Sequence, residues 1–328
     1  MRDLAIFSGT SNSQLTKGIC AYIGKEVAKA NVDHFPDGET IVKIIEDVRG
    51  KDCFIVQSTC PPVNDHLMEL LIFVDCLVRA SANSITAVLP YFGYARQDRK
   101  TAGRTPISAK LVANLISIAG VDRVVVLDLH AKQIEGFFDV PVDNLTVLPV
   151  FVNYFITKDL SNYIVLSPDA GNMKKASEYA QELNLEMAVV DKRRINGETA
   201  EAINLVGDLN GKDVLMFDDM VSTAGTICSA SEFARKKGAK SIHVAAAHGV
   251  FSGPAPDRLL SSGIDEIIVS DTIPLNKRIK ELAEGSKGPK IKIISIAKLL
   301  GEAILRIYEE RSVSILLKSD FKTGIRYL

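Results

Sequence analysis

The chain has no excess of either charge: 39 Lys and Arg against 40 Asp and Glu leave a formal net charge of -1 over 328 residues. No global basic field draws it to nucleic acid or to an anionic membrane, so any phosphate affinity must be local. It has no apolar run approaching the roughly 20 residues that span a bilayer. Its first residues, MRDLAIFSGTSNSQ, lack the basic start and long apolar core of a signal peptide. The expectation is a cytoplasmic protein with neither a nucleic-acid nor a membrane partner. Cysteine is sparse, and Cys20, Cys53, Cys60, Cys76 and Cys228 are scattered without zinc-type pairs, which predicts reduced, mostly buried thiols. A Gly-x-x-x-x-Gly-Lys-Ser/Thr loop is missing, so nucleotide phosphates need another cradle. No low-complexity linker breaks the chain.

What is present is a globular composition, 47% hydrophobic and 24% charged, at a length that suits about two domains. Short β-branched runs alternate with helical patterns: DCFIVQS, HLMELLIFVDCLVRA, SITAVLPYF, ISAKLVANLISIAG, RVVVLDLH. That alternation predicts a mostly parallel sheet wrapped by helices. An internal echo points to duplication. Gly50-Lys51-Asp52 before CFIVQS matches Gly211-Lys212-Asp213 before VLMFDD, and ASANSITAVLPYFGY lines up with KGAKSIHVAAAHGVF. A boundary is expected between Asn144 and Pro149.

Val214 to Thr226, VLMFDDMVSTAGT, is the most informative stretch. Val214 to Phe217 reads as a buried parallel strand, which leaves Asp218 and Asp219 at its carboxyl end, where open α/β sheets bind ligands. Ser222, Thr223, Ala224, Gly225 and Thr226 then offer hydroxyls and approachable N–H groups before the helical segment SASEFARKKG, whose amino end favours an anion. Such a loop nests a phosphate while the aspartates accept hydrogen bonds from ribose hydroxyls. The first copy's counterpart, STCPPVNDH, has lost that chemistry.

Four further segments carry candidates. In PYFGYARQDRK, aromatic residues precede Arg96, Gln97, Arg99 and Lys100, and ring and guanidinium planes suit a purine and its phosphates. FPDGE places Phe35, Asp37 and Glu39 around a turn at Gly38. His130 follows the strand RVVVLDL, with Asp128, Asp139 and Asp143 near in sequence. Lys192, Arg193 and Arg194 follow the apolar MAVV, and positive charge there suits a transferring phosphoryl group. Taken singly, each is equally a solvated loop, an ordinary turn, a structural histidine or a cluster of surface cations.

Together these strings resemble the ribose-phosphate diphosphokinase family, also called phosphoribosyl diphosphate synthases or ribose-phosphate pyrophosphokinases, from about Phe7 to Ser314. VLMFDDMVSTAGT resembles the phosphoribosyl diphosphate motif that these synthases share with type I phosphoribosyltransferases, and the match at ARQDRK extends through Arg104, Pro106 and ISAKLVANL. The resemblance implies an α/β fold of two tandem type I phosphoribosyltransferase-like domains, each a mostly parallel sheet flanked by helices. The N-terminal domain, residues 1–145 plus 308–328, would carry the ATP loops and assembly; the C-terminal domain, residues 146–307, would carry the ribose 5-phosphate site. The implied reaction moves the β,γ-diphosphoryl group of ATP to the C1 hydroxyl of ribose 5-phosphate, giving 5-phosphoribosyl 1-diphosphate and AMP.

By the same resemblance Lys192 and Arg194 are catalytic. Phe35, Asp37, Gly38, Glu39, Arg96, Gln97 and Arg99 bind ATP, with FPDGE acting across a subunit boundary. Arg194, Asp218, Asp219, Ser222, Thr223, Ala224, Gly225 and Thr226 bind ribose 5-phosphate, and His130 and Asp169 hold Mg²⁺ together with substrate phosphates. A homohexamer, activation by inorganic phosphate and inhibition by ADP are also implied, with Ser312 and Ser314 in the allosteric site. Two departures stand out. AGNMKKA follows Asp169 where the family usually has Gly-Gly-Val and then arginine, so Asn172, Met173 and Lys175 are changes; asparagine tolerates positive φ, which predicts that the backbone shape survives. Ser222 stands where aspartate is common. A catalytically silent regulatory homologue would be expected to lose the Lys192 region or ARQDRK, and a phosphoribosyltransferase would lack the ATP loop; this sequence keeps both segments.

Overall fold

The computed structural model describes residues 3–195, 200–285 and 287–317, with the backbone alone at 191–195 and 200–203. The chain forms two units. The first takes in the chain through Val147, Thr272–Pro274 and the segment from Ser295; the second holds Leu148–Asp271 and Leu275–Ile294.

The first unit runs β1 (Leu4–Ser8), α1 (Ser13–Ile23), β2 (Ala30–His34), β3 (Thr40–Ile44), β4 (Asp52–Val56), α2 (Val63–Arg79), β5 (Ser84–Leu89), α3 (Ser108–Ala119), β6 (Arg123–Leu127) and β7 (Val142–Leu145). Its sheet has the order β1-β4-β5-β6-β7 with every neighbour parallel, while β2 and β3 form a separate antiparallel hairpin. The strands SITAVL and RVVVL are buried beyond their first residue, as a parallel sheet covered by helices requires. Phe7 and Phe73, with ring centroids 5.4 Å apart, tie β1 to α2 in this core.

The second unit runs α4 (Leu148–Phe155), β8 (Tyr163–Ser167), α5 (Met173–Leu183), β9 (Met187–Ile195), β10 (Ala200–Val206), β11 (Asp213–Val221), α6 (Gly225–Lys236), β12 (Ser241–Gly249), α7 (Ala255–Leu260), β13 (Glu266–Ser270), α8 (Lys277–Glu284) and β14 (Lys290–Ile294). Its sheet order is β10-β9-β8-β11-β12-β13-β14, parallel except where β10 meets β9.

The echo in the sequence is an echo in structure. β4 lies between β1 and β5 as β11 lies between β8 and β12. Both copies enter the central strand through a left-handed glycine, Gly50 at φ 71° and Gly211 at φ 69°. The next N–H bonds back three residues in each, Lys51 to Val48 O and Lys212 to Leu209 O.

The domain limits differ from those expected. A third segment, α9 (Ala297–Tyr308), belongs to the first unit although the sequence reading left residues up to 307 in the second. Its packing on α1 explains why: the Tyr22 hydroxyl donates to Glu302 Oε2 at 3.0 Å, and Gly301 sits so close that a Cβ there would lie 2.6 Å from Tyr22 Cδ1. All five cysteines are free; burial pushes Cys20, Cys60 and Cys228 up to about 11 and Cys53 up to about 12, so these thiols are inert packing groups. Among the described residues no helix is long and apolar enough to cross a membrane.

Candidate active site

In the second unit β11 runs further than its sequence suggests. It stays in register with β12 as far as Val221, so Asp218 and Asp219 lie within the strand rather than beyond its end. Its ladder with β8, however, stops at Leu215 paired with Val165. From Met216 onward β11 has no partner in β8, and the half-buried Asp218 and Asp219 follow within three residues. The Asp219 N–H donates to Asp218 Oδ1 at 2.8 Å. Burial, and then the adjoining Asp219 carboxyl, push Asp218 up to about 7, while the charge of Lys175 pulls the other way. Such a pair is relieved by whatever brings hydrogen-bond donors or positive charge: sugar hydroxyls do the first, a cation the second.

The loop after β11 is pinned on both sides. Ser222 and Ser252 share a hydroxyl contact of 3.0 Å, and the Ser252 N–H donates to Ser222 O at 2.9 Å. Ala224, at φ 61°, turns the chain left-handed into α6, which opens at Gly225 with no side-chain cap. The outward N–H groups of that helix end are therefore left for an anion. Arg258, from α7, donates Nη1 to Thr223 O at 3.0 Å and would sit 3.3 Å from a Cβ on Gly225. The sequence reading missed Arg258; the contact joins residues 35 positions apart, and nothing local signals it.

The altered loop after β8 is ordered by Asp169, whose Oδ1 accepts the Asn172 N–H at 3.0 Å. Asn172 takes helical angles, φ -94° and ψ -1°, so the left-handed tolerance expected of asparagine is not used. Its side chain instead donates to the Phe217 carbonyl at 2.7 Å. Lys192, Arg193 and Arg194 do not follow a strand end: β9 continues through them to Ile195 and pairs with β10, Lys192 opposite Ile203 and Arg194 opposite Glu201. Their side chains lie outside the described residues.

In the first unit FPDGE forms the tip of the β2–β3 hairpin. The Phe35 N–H bonds Glu39 O and the Gly38 N–H bonds Phe35 O, both at 2.8 Å, with Gly38 at φ 95°, which favours glycine. The Glu39 N–H also takes Asp37 Oδ1 at 3.2 Å. Phe35 is 49% exposed at this tip. In PYFGYARQDRK the cations are exposed as expected, but Tyr91 and Phe92 are core residues, Phe92 lying 5.5 Å from Phe138. They are not faces for a purine. Gln97 anchors the segment to the start of α3, accepting the Ser108 hydroxyl at 2.6 Å. The buried Asp98, also missed, pairs with Arg99 at 2.9 Å and accepts Gln133 Nε2 at 2.7 Å.

His130 is exposed just past β6. The acids near it are already engaged: Asp128 accepts the Val147 N–H at 2.7 Å, Asp143 pairs with Arg123 at 2.6 Å, and Asp139 faces Lys110 at 3.8 Å. Among the described residues no group of three or more His, Cys, Asp or Glu is placed to hold a metal. His130 and Asp169 therefore offer one donor group each, in separate units. Of the two, the Asp169 carboxylate offers the oxygen donors that a hard cation prefers, and His130 offers an imidazole nitrogen. Ser312 and Ser314 meet hydroxyl to hydroxyl at 2.8 Å, and Arg306 donates to Ser312 O at 3.1 Å.

Comparison with known proteins covers nearly the whole chain. The N-terminal domain of ribose phosphate pyrophosphokinase matches residues 4–120, and the phosphoribosyl synthetase-associated domain matches residues 193–318. The ribose-phosphate pyrophosphokinase of Rhodopirellula baltica is 50% identical over 97% of this chain and 99% of its own length; that of Campylobacter jejuni is 49% identical over 96% and 99%. The crystal structure of phosphoribosylpyrophosphate synthetase from Mycobacterium smegmatis matches with a TM-score of 0.85 at 39% identity, covering 94% of this chain and 100% of that one.

Proposed function

This chain belongs to the ribose-phosphate pyrophosphokinase family and forms 5-phosphoribosyl 1-diphosphate, and on that premise we propose how its residues divide the work. The C1 hydroxyl of ribose 5-phosphate attacks the β-phosphorus of ATP. A bond forms from that oxygen to phosphorus, the bond from phosphorus to the α,β-bridging oxygen breaks, AMP leaves with the electron pair, and the hydroxyl proton passes to solvent.

Asp218 and Asp219 accept hydrogen bonds from the ribose hydroxyls, and Ser222, Thr223, Ala224, Gly225 and Thr226 cradle the 5-phosphate at the amino end of α6. This fixes the attacking oxygen. Lys192 and Arg194 stabilise charge on the group in flight, with Arg194 also on the sugar phosphate. Phe35, Asp37, Gly38, Glu39, Arg96, Gln97 and Arg99 hold ATP. His130 and Asp169 are the proposed Mg²⁺ ligands; the cation supplies neutralisation of diphosphate oxygens when bound. We further propose a cytoplasmic homohexamer, activated by inorganic phosphate and inhibited by ADP through a site that includes Ser312 and Ser314.

The observation that most supports the sugar site is the end of β11, where two half-buried carboxylates follow the last residue paired with β8 and precede a helix start that has no side-chain cap. The test is AMP formation from Mg-ATP and ribose 5-phosphate, with ADP followed in parallel and inorganic phosphate present or withheld. Sugar-dependent AMP without matching ADP is expected, with Lys192→Ala slower by about 100-fold or more. Folded, ATP-binding protein that makes no AMP under either condition would point to the silent regulatory homologue.

A further inference from the structure

Past Leu215 the central strand of the second unit loses its neighbour β8. Its β12 edge stays paired through Val221, and the edge that β8 leaves is held by other means. The Phe217 carbonyl accepts Asn172 Nδ2 at 2.7 Å, from the turn that follows β8. Asn172 is itself fixed, because its N–H caps onto Asp169 at 3.0 Å and it opens α5. The same helix lays the Tyr179 ring flat on the Phe217 ring, centroids 3.7 Å apart and planes 3° from parallel, while Phe155 meets it edge-on at 5.6 Å. Phe217 is thus clamped by two rings on its side chain and by one amide on its backbone, and Asp218 is the next residue. A turn of the 217–218 peptide re-aims that carboxylate. The β12 ladder holds one edge of the strand here, with Phe217 opposite Ala245 and Asp218 opposite Ala246; on the edge that β8 has left, the Asn172 amide is the contact that fixes this peptide.

We propose that Asn172 is a positioning residue for ribose binding, locking the Phe217 peptide so that Asp218 and Asp219 are presented to the sugar in one orientation. The proposal rests on the reading of those aspartates as the ribose acceptors. It gives the altered loop a purpose: a residue with no side-chain donor at 172 leaves the Phe217 carbonyl without this partner. Lys175, one turn further along α5, adds its charge toward Asp218 from the same short segment.

The test compares wild type with Asn172→Ala, which removes the donor, and Asn172→Asp, which turns an acceptor and an extra anion toward the carbonyl. The readouts are KM for each substrate, kcat, thermal unfolding, and ribose 5-phosphate binding by calorimetry. Asn172→Ala is expected to weaken ribose 5-phosphate by about five-fold, the factor of one neutral hydrogen bond, with KM for ATP unchanged. Asn172→Asp is expected to weaken it by about ten-fold or more, since it adds repulsion to the loss. Should Asn172→Asp not fold, the alanine variant carries the comparison alone. Wild-type constants in a folded variant overturn the proposal and leave the enzyme reading intact. So does a loss that tracks the melting temperature and falls on ATP and sugar alike, for that is a purely structural role. A wild-type protein that neither binds ribose 5-phosphate nor makes AMP removes the reading of Asp218 and Asp219, and the proposal goes with it.

Discussion

Asp218 is half-buried beside a second carboxyl, and both circumstances oppose its ionisation, raising it from an ordinary 3.8 to about 7. The sign of the consequence follows from linkage. A carboxyl raised in the folded state adds stability while it is protonated, fully below about pH 4, and that stability is lost as pH rises through about 7. Asp218→Asn keeps the shape and stays neutral at every pH. The ligand-free variant is therefore expected to be more stable than wild type at pH 8, by on the order of 1–3 kcal/mol, and to lose ribose 5-phosphate binding. Urea melts of both proteins between about pH 5 and 8 decide it; parallel curves would mean that the carboxyl pair is not strained. At this scale the sequence was readable where chemistry is local, as at the Asp-Asp pair and the Phe35–Glu39 turn. Arg258, the Asn172 amide and the contact of Asp98 with Gln133 were not, because each joins residues far apart in the chain through tertiary packing that no nearby residue encodes.

Among the elements, the repeat was visible because a turn must precede each central strand, and Gly50 and Gly211 mark it with the same left-handed conformation. The β9–β10 hairpin was hidden for the opposite reason. Charges after MAVV look like a strand end, yet a strand toward a sheet margin with an antiparallel neighbour needs only one buried face and carries polar residues on the other. The placement of α9 was hidden too, since an amphipathic helix shows that it packs and not against what. Gly301 is where that packing is tightest. Alanine there gains up to about 1 kcal/mol in helix propensity, which offsets part of the clash with Tyr22; valine gains little of it. Gly301→Val is expected to cost about 2–3 kcal/mol by overpacking, read from the urea midpoint. Adding Tyr22→Ala should recover part of the loss, and strict additivity of the two changes would show that the helices do not meet at this pair.

For the whole molecule, net charge and surface pattern bear on assembly. α3 buries Ala109, Val112, Ala113 and Ile116 on one side, yet Leu111, Leu115 and Ile118 are 59%, 40% and 81% exposed on the other. Spacings of four and three residues align these in one stripe. Val78 at the end of α2 extends it, since a Cβ on Gly120 would meet Val78 Cγ2 at 2.8 Å. A helix that is apolar on both faces is stable in water only when something covers the second face, and a formal charge of -1 offers little repulsion between copies. This supports the proposed self-association, with the stripe as one of its contacts. Leu111→Glu combined with Ile118→Glu is expected to lower the sedimenting mass while leaving far-UV dichroism unchanged, because both side chains already face outward in the single chain. If the Phe35–Glu39 tip serves ATP bound by a neighbouring copy, AMP formation must fall with the mass and recover as protein concentration rises. A wild-type protein that sediments as a monomer at full activity would remove both the stripe and the shared tip.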